Sequence, residues 1–296
     1  MTMPKVSPPR AALGARLQEI RASKFRSGAA LARHLGWVQT RVNKLEHGYQ
    51  LPSPEDLDAW VAATESGPDV RAELGNLLTQ ARVSYTSWTE VYRSGGIADW
   101  QADIATSEAE AEMLCGYQPS MIPGLLQTVA YAKELLTIPG GPVLTGASYE
   151  HIEALITERI KRQGLLYEPG RRVQMVLGQA ALTVHFGSVE TLLGQLDRLV
   201  ALSDLPSVDL RVLPTAVASP VMPLSGFWLD HAGVYIETLK GEQTLTGQDD
   251  LAMFRKAFDL LHAASVAGPD AVALIQRVAA EVRRLNTSAV CAGESD

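Results

Sequence analysis

The chain has 296 residues, 46% of them hydrophobic and 20% charged, with a formal net charge of −7 at pH 7. That composition excludes wholesale disorder and leaves room for two folded domains. No apolar run approaches the roughly 20 residues that span a bilayer, and the start "MTMPKVSPPRAALG" lacks the apolar stretch of a signal peptide, so a cytoplasmic protein with no membrane contact is expected.

Helical spacing begins at once. Ser7 can cap a first helix with Pro8 at its first position, and Leu13, Leu17 and Ile20, at i, i+4 and i+7, form one buried face. Ser27 can cap a second helix in which Leu31, Ala32 and Leu35 face inward, and Gly36 supplies the permissive backbone for a sharp turn. A third helix follows directly. Its Val42 and Leu45 point to the core, leaving Gln39, Thr40, Asn43 and Lys44 on the outer side with Arg41 at the edge. These residue types suit DNA: Gln pairs with adenine, Thr offers a hydroxyl and a methyl, and Lys or Arg meets guanine or phosphate. Ser53 and Pro54 open a fourth helix with Leu57, Trp60 and Val61 on its apolar side.

Charge follows the same division. Residues 1–50 hold nine Lys or Arg against Glu19 and Glu46, a net of +7, which leaves −14 on the rest of a chain whose total is −7. A basic head on an acidic body is the field of a DNA-binding module joined to something else, because attraction to phosphate is screened within about 8 Å.

From Pro68 to about Tyr92 the pattern predicts further helix, with Val70, Leu74, Leu77, Leu78 and Ala81 apolar, and "RSGGIADW" closes it; residues 81–104 are expected to be a helical connector. A second domain is expected over 105–285. Pro119 and Pro123 should break "SEAEAEMLCGYQPSMIPGLLQTVAYAKELL" into two helical pieces, the second with Leu125, Leu126, Val129, Ala132 and Leu136 on one side. A helix over about 148–166 follows. Alternation then predicts strands at Val173, Met175 and Leu177, at Val208, Leu210 and Val212, at Phe227 and Leu229, and at Val234, Ile236 and Thr238, the last two joined through "DHAG" as a hairpin. Helices at about 188–202 and 249–266 interleave, Pro269 opens a final helix to about Leu285, and the tail 286–296 is expected to be disordered. The fold class is a mainly α helix-turn-helix domain, residues 1–80, followed by an α+β domain.

Catalytic patterns are absent. "PGGPVLTG" lacks the Lys-Ser/Thr of a P-loop, and there is no GxSxG elbow or HExxH helix. Cys115 and Cys291 belong to no cluster with metal spacing and read as incidental thiols. His185 and His231 read as core or solvated histidines. Glu108, Glu110 and Glu112 read as a solvated helix face, since i and i+2 do not face each other on a helix. No enzyme activity, metal or cofactor is expected.

Residues 13–63 resemble an Xre-type, lambda-repressor-like helix-turn-helix domain, on "LARHLGWVQTRVNKLEHG" followed by "PSPEDLDAW". The resemblance implies that the third helix enters the major groove. It makes Gln39, Thr40, Asn43 and Lys44 the base readers, with Arg33, Arg41 and backbone near Ser27 on phosphates. Two positions depart from the pattern: Val38, where many relatives place a capping Ser, and Gly28, where many carry Gln.

Residues from about 105 to 285 resemble the uncharacterised C-terminal domain that accompanies such modules in many bacterial regulators of development and secondary metabolism. The landmarks are "YQPSMIPGLLQTVAYA", "LPSVDLRVLP", "SGFWLD" and "FDLLHAASV". The resemblance implies a sequence-specific transcriptional regulator, acting on double-stranded DNA, whose second domain binds a small partner protein encoded by an adjacent gene. A homodimer is expected because one recognition helix covers few base pairs. The alternative is a small-molecule sensor with an apolar pocket at Met222, Phe227 and Trp228. Either binding event is expected at the irregular stretch from Pro214 to Phe227.

Overall fold

The computed structural model describes residues 8–222 and 225–293. The expected cap at Ser7 and part of the irregular stretch after Pro214 lie outside them. By internal contacts the chain forms two compact units, Met1–Ser84 with Thr244–Gly247, and Tyr85–Gln243 with Gln248–Asp296.

In the first unit, α1 (Pro8–Lys24), α2 (Gly28–Leu35), α3 (Gln39–Glu46), α4 (Pro54–Ala63) and α5 (Pro68–Ala81) enclose one core. Leu13, Leu17 and Ile20 of α1 meet Leu31 and Ala32 of α2, Val42 and Leu45 of α3, and Leu57 and Trp60 of α4 there. Trp60 is fully buried, and its indole Nε1 donates to the Leu17 carbonyl at 3.2 Å. That bond removes the cost of burying the one polar atom of the ring. Helix α5 adds Leu74, Leu78 and Ala81 to the same core.

The expected helix through Tyr92 stops at Ala81. β1 (Val83–Ser87) follows, then α6 (Trp88–Ser94) and α7 (Ile97–Glu110). "VSYTS" consists of β-branched, aromatic and hydroxyl residues that lose freedom or compete for backbone bonds in a helix. It finds a strand partner instead. The stretch expected as a helical connector therefore holds a strand and two helices.

The remaining elements of the second unit are β2 (Met113–Gln118), α8 (Val129–Thr137), α9 (Tyr149–Arg162), β3 (Arg172–Gly178), α10 (Val189–Leu202), β4 (Val208–Leu213), β5 (Phe227–Leu229), β6 (Val234–Glu237), β7 (Gly241–Leu245), α11 (Gln248–Ala264), β8 (Val266–Ala267) and α12 (Gly268–Gly293). The strands form one sheet in the order β1-β7-β6-β5-β2-β3-β4-β8. β2, β3 and β4 run parallel, while β5 is antiparallel to both β2 and β6, and β8 to β4.

"MLCGYQ", expected within a helix, is thus a central strand. A short apolar run carries no period that separates a buried strand from a buried helix. Its parallel position, with burial on both faces, accounts for the unbroken pattern. β7 was not anticipated at all, because "GEQTL" neither alternates nor carries a large apolar residue before Leu245.

Register sorts the sheet into two faces. Leu114, Val173, Met175, Leu177, Val208, Leu210 and Val212 join Leu192, Leu196 and Leu199 of α10 and Ile275 of α12 in the main core. On the opposite face Cys115, Gln174 and Asp209 form a lateral row under α11, where Arg255 Nη1 meets Cys115 Sγ at 2.9 Å and His262 Nε2 meets Asp209 at 2.7 Å. A smaller cluster joins α6, α7, α8 and α9 around Tyr92, Ile97, Leu136 and Ile152. Val129, expected on the apolar side of α8, is exposed, as befits the residue just after the Thr128 cap.

The helix α12 runs to Gly293, through most of the tail expected to be disordered. Once a helix is nucleated each further residue adds a hydrogen bond for one residue fixed, and neither Gly nor Pro interrupts it between Pro269 and Gly293. Among the described residues no helix is long and apolar enough to cross a membrane.

Candidate nucleic-acid interface

Helix α2 begins at Ser27, whose side chain accepts from Ala30 N at 3.2 Å, and ends at Gly36 with φ +70°. That left-handed backbone is strained for any residue with a Cβ, so glycine belongs at this turn. Trp37 and Val38 complete the turn, and α3 starts at Gln39.

Gln39, Thr40, Asn43 and Lys44 are all exposed, on the side of α3 away from buried Val42 and Leu45. Three interactions fix the helix beneath them. First, the guanidinium of Arg21 on α1 grips the Glu46 carboxylate, Nε to Oε1 at 2.5 Å and Nη2 to Oε2 at 3.3 Å, with both side chains below one-tenth exposed. Second, α1 passes against the end of α3 at Gly14, where a Cβ would sit 2.4 Å from the Glu46 carbonyl oxygen. Third, Arg41 turns away from the outer row: its guanidinium carbon lies 4.5 Å over the Trp37 ring, and Nη2 donates to Asp56 Oδ1 at 2.7 Å. Asp56 Oδ2 accepts from Ser53 N in the capping box of α4, so one carboxylate both caps α4 and ties it to α3.

Ion pairing reduces the basic head to a short set. Of the nine cations in the first 50 residues, Arg16 pairs with Glu73 and Glu19, Arg21 with Glu46, Lys24 with Glu65, and Arg41 with Asp56. Arg10 is half-buried, and Lys5 lies outside the described residues. Arg26, Arg33 and Lys44 are left exposed with no carboxylate partner among the described residues. Arg26 escapes a reading by charge and helical period alone, because only the pairing of its neighbours distinguishes it.

Val38 occupies the N-cap of α3 in extended backbone, φ −77° and ψ 141°, with no side-chain cap and 67% exposure. Its isopropyl group neither accepts an orphan N–H nor packs. The backbone already suits a capping hydroxyl, so Val38→Ser should stabilise the unit by about 0.5–2 kcal/mol. Thermal unfolding of the full chain checks this; an unchanged or lowered midpoint would mean that the first turn is already satisfied.

The residues expected to receive a partner or ligand are not brought together. Phe227 and Trp228 are neighbours on β5, and their side chains take opposite faces of the sheet. Phe227 is buried between Tyr117 and Phe254, with ring centroids at 6.0 and 5.0 Å, whereas Trp228 packs on the main core. Pro214 is half-buried and Met222 is 78% exposed. A shared apolar pocket at Met222, Phe227 and Trp228 is therefore replaced by two separate packing sites.

His185 and His231 are exposed. Glu108 departs from the solvated helix face expected for it: it is buried, and Arg162 Nε and Nη2 meet its two oxygens at 2.9 and 3.0 Å. Burial pushes its carboxyl upward while Arg162 pulls it back. The pairing arises because α9 packs along α7, a contact 54 residues apart in sequence.

Comparison with known families gives two matches. Residues 12–74 match a helix-turn-helix domain, and residues 101–277 match a domain of unknown function (DUF5753). No curated protein matches the chain. The first match covers the unit that displays α3 and marks the chain as a DNA-binding regulator. The second spans more than half of the sequence, and the chain therefore belongs to the family of the domain of unknown function DUF5753, with a helix-turn-helix domain ahead of it.

Proposed function

We propose that this chain is an Xre-type, sequence-specific transcriptional regulator that binds an inverted repeat in duplex DNA as a homodimer, with α3 in the major groove. The observation that carries this reading is the exposed row Gln39, Thr40, Asn43 and Lys44 on a helix immobilised by Arg21–Glu46 and Arg41–Asp56. Base readers need a rigid support, because a mispositioned side chain loses its pairing. Ser27 and the start of α2, with Arg26 and Arg33, supply phosphate contacts, and Lys44 adds its charge from the base-reading row. Arg41 acts on DNA affinity through α3 as well as through any phosphate it reaches.

The test is a mobility-shift series on a site selected from random duplexes. Gln39→Ala should cost about 1–3 kcal/mol on that site and leave random DNA unaffected. Arg33→Ala should weaken both alike. With three unpaired cations per protomer the salt slope of a dimer should be about −5, and Lys44→Ala should flatten it by about 2. Equal effects of Gln39→Ala on selected and random DNA would remove the base-reading role.

The second unit serves in this reading as a docking platform for a small partner protein that alters operator occupancy. Its support is the net charge of −10 beyond residue 84, which repels DNA and steers a basic partner, and the resemblance to regulators encoded beside small proteins. Co-expression with the neighbouring small gene product followed by size exclusion tests it. Failure to associate at micromolar concentration would discard this part and leave the DNA-binding part intact.

A further inference from the structure

The β6–β7 hairpin holds a carboxylate to which the fold gives no donor. Glu242 on β7 is 8% exposed, and among the described residues neither a hydrogen bond nor an ion pair reaches its side chain. Its carboxylate oxygens keep only slight contact with solvent, so the ionised form is poorly hydrated.

The surrounding charges do not compensate. Glu237, before the hairpin turn, repels it, and the buried guanidinium of Arg159 on α9, which donates to Gln127 Oε1, faces Glu237 rather than Glu242. The nearby cation, Arg162 on α9, is committed to both oxygens of Glu108 and, at 3.0 Å, to Gln101 Oε1. Tyr235 on β6, also within reach of the Glu242 charge, is turned to Ser107 and Asp230. Burial, with the Glu237 charge, pushes the Glu242 carboxyl up to about 8.

Aromatic rings stand beside the same turn. Trp88 Nε1 donates to the Thr238 carbonyl at 3.0 Å, and its backbone N to the Lys240 carbonyl at 3.1 Å. Trp100 lies edge-on to Trp88 at 4.8 Å, and its own Nε1 is buried without an acceptor among the described residues. Indole faces attract cations, and the attraction grows when both are desolvated. A metal ion is a poor candidate for the missing charge, because no group of three His, Cys, Asp or Glu among the described residues could hold one.

We propose that Glu242, with Glu237 and the Trp88–Trp100 pair beside the β6–β7 turn, forms a binding site for an organic cation, an alkylammonium or alkylguanidinium group. The cation supplies the donors that Glu242 lacks and neutralises its charge. It arrives either as a free amine or as a Lys or Arg side chain of a docked protein. The proposal rests on reading this unit as regulatory, but its test contains no DNA and stands apart from the base-reading test.

Linkage sets the sign of the pH effect. The folded carboxyl binds its proton more tightly than the unfolded one. Without ligand, stability therefore falls as pH rises from the ordinary carboxylate range through about 8. A cation binds the ionised form, so its affinity should rise about tenfold per pH unit below that value and level off above it.

The experiment is calorimetric titration and thermal unfolding of the full chain at constant ionic strength, at pH 6, 7 and 8. The probes are agmatine and a capped tripeptide with a central Arg. Binding by agmatine assigns the source as a free amine; binding by the peptide alone assigns it as a protein side chain. Glu242→Gln should weaken either at least tenfold and abolish the pH dependence. The thermal shift of the unmodified chain, larger at pH 8 than at pH 6, reads the same property without a variant. Unchanged affinity in Glu242→Gln, or no shift by either probe at millimolar concentration at pH 8, would overturn the proposal.

Discussion

Glu46→Ala is expected to destabilise the N-terminal unit by about 3–5 kcal/mol, because it leaves the Arg21 guanidinium buried without its counter-charge. Arg21 Nη1 keeps its bond to the Phe25 carbonyl at 3.1 Å, but Nε and Nη2 lose both partners. A surface pair of the same residues would be worth about 0–1 kcal/mol, so the size of the loss tests the burial directly. Hydrogen exchange of the α1 and α3 amides in the full chain isolates this unit from the other. Replacing the pair together, Arg21→Met with Glu46→Leu, should restore most of the loss or exceed the original stability, since two apolar groups need no desolvation. A cost below about 1 kcal/mol for Glu46→Ala would mean that solvent reaches the pair.

The contrast between Arg21 and Lys44 shows what a linear reading can and cannot reach. Helical period placed Val42 and Leu45 inside and Lys44 outside, because a single helix determines which of its own faces is apolar. Ser27, Gly36 and the Ser53-Pro54 start were legible for the same reason: caps and turns are local chemistry. The partner of Arg21 was not legible. Glu46 is 25 residues away, and counted by charge Arg21 looks like one more phosphate contact. The +7 of the first 50 residues thus overstates the cations that a polyanion can meet, and Arg26 emerges only after pairing is resolved.

The second unit divides along the same line. β3, β4 and the β5–β6 hairpin alternate and were legible, whereas β2 is buried on both faces and loses the signal of its own geometry. Phe227 and Trp228 looked like one apolar site because they are adjacent in sequence, yet adjacency on a strand is what separates them. Glu242 had no sequence signal: nothing in "GEQTL" distinguishes a buried acid from a solvated one.

Gly14→Ala should destabilise the N-terminal unit, by about 1–3 kcal/mol, although alanine is the better helix former by up to about 1 kcal/mol. The sign is decided by what the new methyl would meet. Its position lies 2.4 Å from the Glu46 carbonyl oxygen, 2.9 Å from the carbonyl carbon and 3.0 Å from Gly48 N, all backbone atoms that no rotamer change can move. Relief requires α1 and the end of α3 to separate, which also strains the Arg21–Glu46 pair between them. Gly75→Ala in α5 is the matched control: its methyl would meet only the Arg71 Nη1 atom, at 3.3 Å, the end of a flexible side chain. There the helix-propensity gain should survive and raise the unfolding midpoint. Because α3 carries the exposed row Gln39, Thr40, Asn43 and Lys44, Gly14→Ala should also lower affinity for selected and random DNA together, whereas Gly75→Ala leaves both unchanged. Stabilisation by Gly14→Ala would show that α1 and α3 do not pack this closely, and the rigid support inferred for the DNA-facing row would fall with it.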